Sequence, residues 1–348
     1  MKALTVRPGR AGSLEVTDVP EPGPELGEIL VAGLALGVCG TDREIVAAEH
    51  GAAAVGRDRL VLGHESLGRV LEAPEGSGWT VGDLVVGVVR RPDPVPCGAC
   101  ARGRSDMCRN GRYTERGIQG VDGFGSERWR IEPDYAIRVD DSLGMLGVLV
   151  EPTSVVAKAW EQVELVGGRS WFEPESALVT GAGPVGLLAA LLGVQRGLDV
   201  HVLDRVTDGP KPELVRALGA TYHAEPVTEV MTALRPEIVL EATGASSVVV
   251  DVLSGTARYG VTCLLGVSPI GRPVRVDAGG VNREFVLEND ALIGSVNANQ
   301  EHFRTAATAL ADADRDWLDR LITRHVPFDR ATEALEPEDG GIKTVIDL

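Results

Sequence analysis

The sequence predicts an α/β chain of two parts: a mostly-β domain, and a doubly wound parallel-sheet domain inserted before the chain returns to the first. Three observations carry this prediction. Short β-like runs broken by proline and glycine fill the first 150 residues. Apolar runs of the buried parallel type then alternate with helical periodicity from about Glu151 to Val296. Within that second stretch, ALVTGAGPVGLLAALLGVQRGLDVHVLD from Ala177 to Asp204 reads as strand, glycine turn, buried helix and second strand.

Taken in order, Ala3 to Val6 and Glu28 to Ala32 are strand-like and are separated by the punctuation Pro20-Glu21-Pro22-Gly23-Pro24. Leu67 to Leu71 and Leu84 to Val89 continue the β pattern. The parallel strands are expected at Ala177 to Thr180, Val200 to Leu203, Glu237 to Glu241, Val261 to Gly266 and Leu292 to Val296. Glu301 to Leu321 reads as one helical region and Lys343 to Asp347 as a last strand. These two are too little for a domain of their own, so residues 297–348 are expected to complete the first domain, 1–155, around an inserted domain, 156–296.

Gly181, Gly183 and Gly186 form G-x-G-x-x-G between a strand and the apolar helix Val185 to Val194. Gly181 permits the turn, Gly183 lets backbone N–H groups approach a pyrophosphate at the positive end of the helix dipole, and Gly186 lets helix and strand pack closely. Asp204 ends the second strand eighteen residues past Gly186, where an acid meets ribose hydroxyls. Dinucleotide binding is the expectation.

A formal charge of −17 leaves no basic surplus for nucleic acid or an anionic membrane. The N-terminus MKALTVRPGR has no apolar leader core, and the longest apolar run, after the glycines, is too short to span a bilayer, which places the chain in the cytoplasm. Only four of the 34 basic residues are lysine, a bias that fits either coding preference or a salty cytoplasm. Five cysteines, an odd number in an untargeted chain, suggest metal ligands or buried thiols rather than disulfides.

Cys39 lies in the turn-like GVCGTD, and Gly63-His64-Glu65 follows twenty-five residues later. Thiolate, imidazole and carboxylate are zinc donors, and a catalytic zinc takes three protein ligands while keeping one position open. Glu151, in VLVEP, is a further candidate; it reads equally well as a helix-entry acid. Cys263, in VTCLLG, reads as a buried strand thiol. Among the histidines, His201 reads as packed, His223 and His325 as surface or loop residues, and His50 and His302 as structural. The acidic clusters Asp312 to Asp319 and Glu336 to Asp339 read as solvated faces.

These motifs, with CGAC at Cys97 to Cys100, EATG at Glu241 to Gly244 and GSVNA at Gly294 to Ala298, resemble the zinc-dependent medium-chain dehydrogenases across the whole chain. RYTERGIQGVDGFGSE (Arg112 to Glu127) and VNANQEHF (Val296 to Phe303) resemble the archaeal-type glucose 1-dehydrogenases within them. The resemblance implies a GroES-like catalytic domain and a Rossmann domain. It implies that Cys39, His64, Glu65 and Glu151 surround a catalytic zinc, with Glu65 or Glu151 alternating with water. Thr41 would contact the substrate hydroxyl and relay its proton, and Glu115, Glu151 and Asn297 would bind sugar hydroxyls. Alongside the glycine fingerprint with Ala182, Pro184 and Val185, the cofactor would meet Asp204 and Arg205, then Leu265, Gly266 and Val267, then Val296 and Asn297. The family's second zinc lobe uses four cysteines; this chain has Cys97, Cys100 and Cys108, with Pro94 in place of the first. Asp93 or Asp106 could complete the set, and a metal-free lobe is equally consistent.

Asp204 favours NAD by accepting from both ribose hydroxyls and repelling a 2′-phosphate, while Arg205 keeps NADP open. The reaction expected is oxidation of glucose or a related aldose to its lactone by a homo-oligomer, dimer or tetramer. The rivals are a dehydrogenase of another polyol, cyclitol or secondary alcohol, a zinc-free quinone or enone reductase of the same fold, and a non-catalytic redox sensor.

Overall fold

The computed structural model describes residues 1–23, 27–271, 273–336, 338 and 340–348; Pro24 of the expected punctuation and Asp339 of the second acidic cluster lie outside them. The chain divides into two compact units, Met1–Ser154 with Asn297–Leu348, and Val155–Val296.

The first unit is built on a sheet whose central strand, Ile29–Val38, is twice the expected length. Apolar residues and glycine run to its end, so nothing local stops it at Ala32. It pairs antiparallel with Glu65–Glu72 on one side and with the C-terminal strand Lys343–Asp347 on the other, and Arg128–Ile131 also pairs with it. Leu84–Gly87 and Ala136–Val139 extend the sheet past Glu65–Glu72, and Ile322–Pro327 lies parallel beside Lys343–Asp347. The last strand therefore returns to the first domain, and by doing so sets Thr344 opposite Val38, one residue before Cys39.

The second unit is a six-stranded, all-parallel sheet. Its spatial order is Thr221–His223, Asp199–Leu203, Ser176–Thr180, Ile238–Glu241, Val261–Leu264, Ala291–Gly294, so the chain winds outward in both directions from the strand before the glycines. Helix Pro184–Gln195 is apolar all round and eight of its residues are buried. Leu178, Val230, Met231, Val239 and Val252 form a core cluster on the sheet.

Three expectations are corrected. The region Glu301 to Leu321 is two helices, Gln300–Ala311 and Arg315–Leu321, because the Asp314 carboxylate accepts from the Trp317 N–H and caps a new start. The strand placed at Leu292 to Val296 is Ala291–Gly294, one residue earlier at its start. His223 belongs to a strand rather than a loop, and its Nε2 lies 2.8 Å from His201 Nδ1. Separately, Asp141–Gly167 reaches the length and mean hydropathy, 1.2, of a bilayer-spanning helix, but its backbone leaves helical geometry at Gly144 and 78% of that window is buried inside the protein, as in a core helix. Its few charges interrupt the apolar run without lowering the average, which is why the longest unbroken run pointed elsewhere.

Candidate active site

The site in the first unit begins with strand geometry. The central strand delivers Cys39 to the start of helix Gly40–Val46, and His64 stands at the head of strand Glu65–Glu72. Because Gly37 is the register partner of Glu65, the two strand ends lie side by side, with Cys39 Sγ 3.1 Å from His64 Nε2. Glycine at position 37 leaves room for the Glu65 side chain: a Cβ there would sit 2.0 Å from Glu65 Oε2 and displace that carboxylate. Cys39, His64 and Glu65 bring a donor atom each within 4.8 Å of one another. Glu151, at the start of helix Val150–Gly167, is buried but stands outside that trio.

Two residues without any assigned role before the fold is seen complete the surroundings. Asp42, 2% exposed, accepts the Cys39 N–H at 3.0 Å through Oδ2, and its Oδ1 lies 3.3 Å from His64 Nδ1. Lys343, also 2% exposed, forms an ion pair with Glu65 and donates to the Val38 carbonyl at 3.0 Å. Asp42 was visible inside GVCGTD as an acid three residues past a cysteine. Lys343 carried no signal, since only the pairing of the last strand brings it here.

The electrostatics are those of a cation trap. Burial opposes a charged imidazole at His64, yet the Cys39 sulfur and the Asp42 carboxylate outweigh it and hold the group well above the ordinary histidine range. Burial likewise raises Asp42, but His64 and the Cys39 N–H bring it below the usual carboxylate range. Glu151 is pushed up to about 7, first by burial and further by Glu65, with His64 partly opposing. His64 Nδ1, Asp42 Oδ1 and Glu65 Oε2 are buried without a hydrogen bond of good geometry. With Nδ1 paired to Asp42, His64 turns Nε2 to the Cys39 sulfur, and this set of thiol, imidazole and carboxylate fits a zinc ion.

Thr41, on the first turn of helix Gly40–Val46, is half-buried. Glu115 lies on the short strand Thr114–Arg116, and its Oε1 accepts from Asn297 Nδ2 at 2.7 Å. Asn297 takes the left-handed conformation, φ +64°, and its own Oδ1 accepts from the Ala298 N–H.

Cys97, Cys100 and Cys108 also gather within 4.8 Å. Neither carboxylate considered as a fourth ligand belongs to that group. Asp93 accepts from the Val95 N–H, from Asn110 and from Arg112, while Asp106 accepts from Asn299 Nδ2 at 3.0 Å. Cys263 is fully buried on its strand.

In the second unit Gly181 has φ +94°, and a Cβ on Gly186 would meet the Gly181 carbonyl oxygen at 1.7 Å, so helix and turn touch through backbone alone. A Cβ on Gly183, by contrast, would meet nothing within 4 Å, leaving the helix start accessible. Ala182 is buried beside them and Pro184 and Val185 open the helix. The Asp204 carboxylate accepts from the Ala182 N–H at 2.7 Å and the Val206 N–H at 3.3 Å, with Lys211 Nζ 3.5 Å away. Burial raises its pKa, but these partners hold it below the usual carboxylate range. Arg205 is exposed. Leu265 and Gly266 both donate their N–H to the Glu241 carbonyl, and Val267 is exposed beside them. Val296, exposed, ends the unit with its carbonyl accepting from the buried Lys158 at 2.8 Å.

The same two regions match known families: residues 25–141 match the alcohol dehydrogenase GroES-like domain, and residues 144–348 match the glucose dehydrogenase C-terminus. A glucose 1-dehydrogenase of Methanocella arvoryzae is 38% identical over all of this chain and 99% of its own length. One from Thermoproteus tenax is 39% identical, again over 100% of this chain and 99% of the relative. The crystal structure of Haloferax mediterranei glucose dehydrogenase in complex with NADP, Zn and gluconolactone is similar with a TM-score of 0.92 at 36% identity, covering 100% of this chain and 99% of that one. The chain belongs to the glucose 1-dehydrogenase family of the zinc-dependent medium-chain dehydrogenases.

Proposed function

We propose that the protein oxidises glucose or a closely related aldose at its anomeric carbon, passing a hydride to a nicotinamide dinucleotide and releasing the lactone. The observation that carries this reading is the Cys39–His64–Glu65 cluster, within 4.8 Å, its imidazole and carboxylate buried, in a chain similar to glucose 1-dehydrogenases from end to end. When bound, zinc supplies Lewis acidity at the substrate hydroxyl and the nicotinamide supplies the hydride acceptor. The remaining tasks fall to the chain. Cys39 and His64 hold the metal, with Glu65 or Glu151 as the exchanging oxygen donor. Asp42 fixes the His64 ring, since a carboxylate on the second ring nitrogen sets tautomer and orientation. Thr41 takes the hydroxyl proton toward solvent as C1 loses its hydride. Glu115 and Asn297 meet sugar hydroxyls, and a substrate lacking one would leave them unpaired.

For the cofactor, the open helix start at Gly183 suits a pyrophosphate, with Leu265, Gly266, Val267, Val296 and Asn297 left for the nicotinamide half. Asp204 supports NAD as the better partner, and Arg205 with Lys211 supports acceptance of NADP as well. The Haloferax enzyme binds NADP. Edge pairing of the parallel sheets is the proposed route to a dimer or tetramer. The decisive experiment is a steady-state panel of aldoses, polyols and simple alcohols with both cofactors. Aldoses should lead in kcat/KM; a secondary alcohol leading would replace this reading with that of an alcohol dehydrogenase. A ratio strongly favouring NADP would remove the role given to Asp204.

A further inference from the structure

Arg90 and Glu115 are direct cross-strand partners in a ladder of only two residues per strand, Arg90–Arg91 against Thr114–Arg116. Their ion pair is nearly sealed, with side chains 6% and 10% exposed. Arg90 Nε and one terminal nitrogen both donate to the same oxygen, Glu115 Oε1, at 3.1 and 2.9 Å. The other terminal nitrogen donates to the Asp106 carbonyl at 3.1 Å, and the guanidinium plane lies 3.7 Å from the centre of the Tyr113 ring. Asn297 Nδ2 supplies a third donor to Oε1. Among the described residues Oε2 of Glu115 has no partner.

A buried ion pair is a poor way to stabilise a fold, since apolar residues of similar size often do as well or better. Its value here is geometric. Three donors saturate one carboxylate oxygen and fix the plane of the group, so the other oxygen is presented as an oriented acceptor. We infer that Arg90 is the positioning residue that makes Glu115 a hydroxyl-selecting group, acting on sugar recognition through Glu115 alone. This rests on the reading of the protein as an aldose dehydrogenase. Lysine cannot replace it fully: one ammonium cannot make the two-point contact to Oε1, hold the Asp106 carbonyl and stack on Tyr113 together.

The test is a double-substitution cycle of Arg90→Met and Glu115→Gln, with Arg90→Lys as the conservative variant, read as KM and kcat for glucose and KM for the nicotinamide cofactor. Arg90→Met should lower kcat/KM for glucose about 10- to 100-fold, chiefly through KM, with the cofactor KM unchanged. The double variant should be no worse than Glu115→Gln alone, and Arg90→Lys should fall between. Additive losses, or a cofactor KM that rises in step, would overturn the inference and leave Arg90 a structural residue. Should Arg90→Met fail to fold, Arg90→Lys decides: a glucose KM equal to that of the unsubstituted protein overturns the assignment. An unsubstituted protein inactive on every aldose would instead overturn the proposed function.

Discussion

Lys343, on the last strand of the chain, is buried against Glu65, the residue after His64. One cation thus compensates a carboxylate that would otherwise be an unpaired buried charge. Lys343→Met should destabilise the metal-free protein by about 3–5 kcal/mol, the cost of breaking such a pair by removing one partner. Zinc would take over part of the compensation, so urea unfolding with zinc bound should show a smaller loss. Equal losses with and without zinc would show that Lys343 and the ion do not share Glu65.

Asp42 fixes both the Cys39 backbone and the His64 ring. Asp42→Asn should lower zinc affinity or kcat by about 10–100-fold while circular dichroism stays unchanged. Competition against a colorimetric chelator measures the first directly, and an unchanged affinity together with an unchanged kcat would refute the role.

Glu151 gives a pH signature. Its neutral form is favoured in the folded protein, with a value near 7 against an ordinary 4.5. The stability this contributes is complete below the unfolded value, declines as pH rises through the interval, and is gone above about 7. In chelated protein, Glu151→Gln should therefore remove a pH-dependent loss on the order of 3 kcal/mol between pH 4.5 and 7. Denaturant midpoints of the two proteins across that range should diverge as pH rises, with the Gln variant the more stable at pH 8.

The lobe of Cys97, Cys100 and Cys108 offers three thiols, with Asp93 and Asp106 already engaged. An ion bound there keeps one coordination position for water and should leave on mild chelation before the ion at Cys39 does. Metal analysis during stepwise chelation should show two phases, and Cys100→Ser should abolish the faster. A single slow phase of two ions would mean that a fourth protein ligand closes the lobe.

Much of this protein was legible in local patterns. The glycine turn, the apolar helix behind it and the acid at Asp204 declare themselves because each belongs to one short stretch with a fixed period. Cys39 and His64-Glu65 are similarly local, and a three-donor chemistry is readable from residue types alone. What the sequence could not place were partners joined by long-range pairing. Lys343 reaches Glu65 only because the last strand docks in antiparallel register beside Ile29–Val38. Arg90 meets Glu115 only because two short strands align, and Asn297 joins them from 182 residues away. The carboxylates offered to the thiol lobe were plausible by spacing, and the fold gives each of them donors from further along the chain: Asn110 and Arg112 for Asp93, Asn299 for Asp106.

The sequence by itself determined the two kinds of domain, the glycine turn and the set of candidate metal donors, because these depend on periodicity and on chemistry carried by neighbouring residues. Only the tertiary structure decided which buried charges face one another: Lys343 with Glu65, Asp42 with His64, Arg90 with Glu115. The physical reason is that charge pairing inside a protein depends on distance and desolvation between segments remote in the chain, and neither leaves a trace in the order of residues.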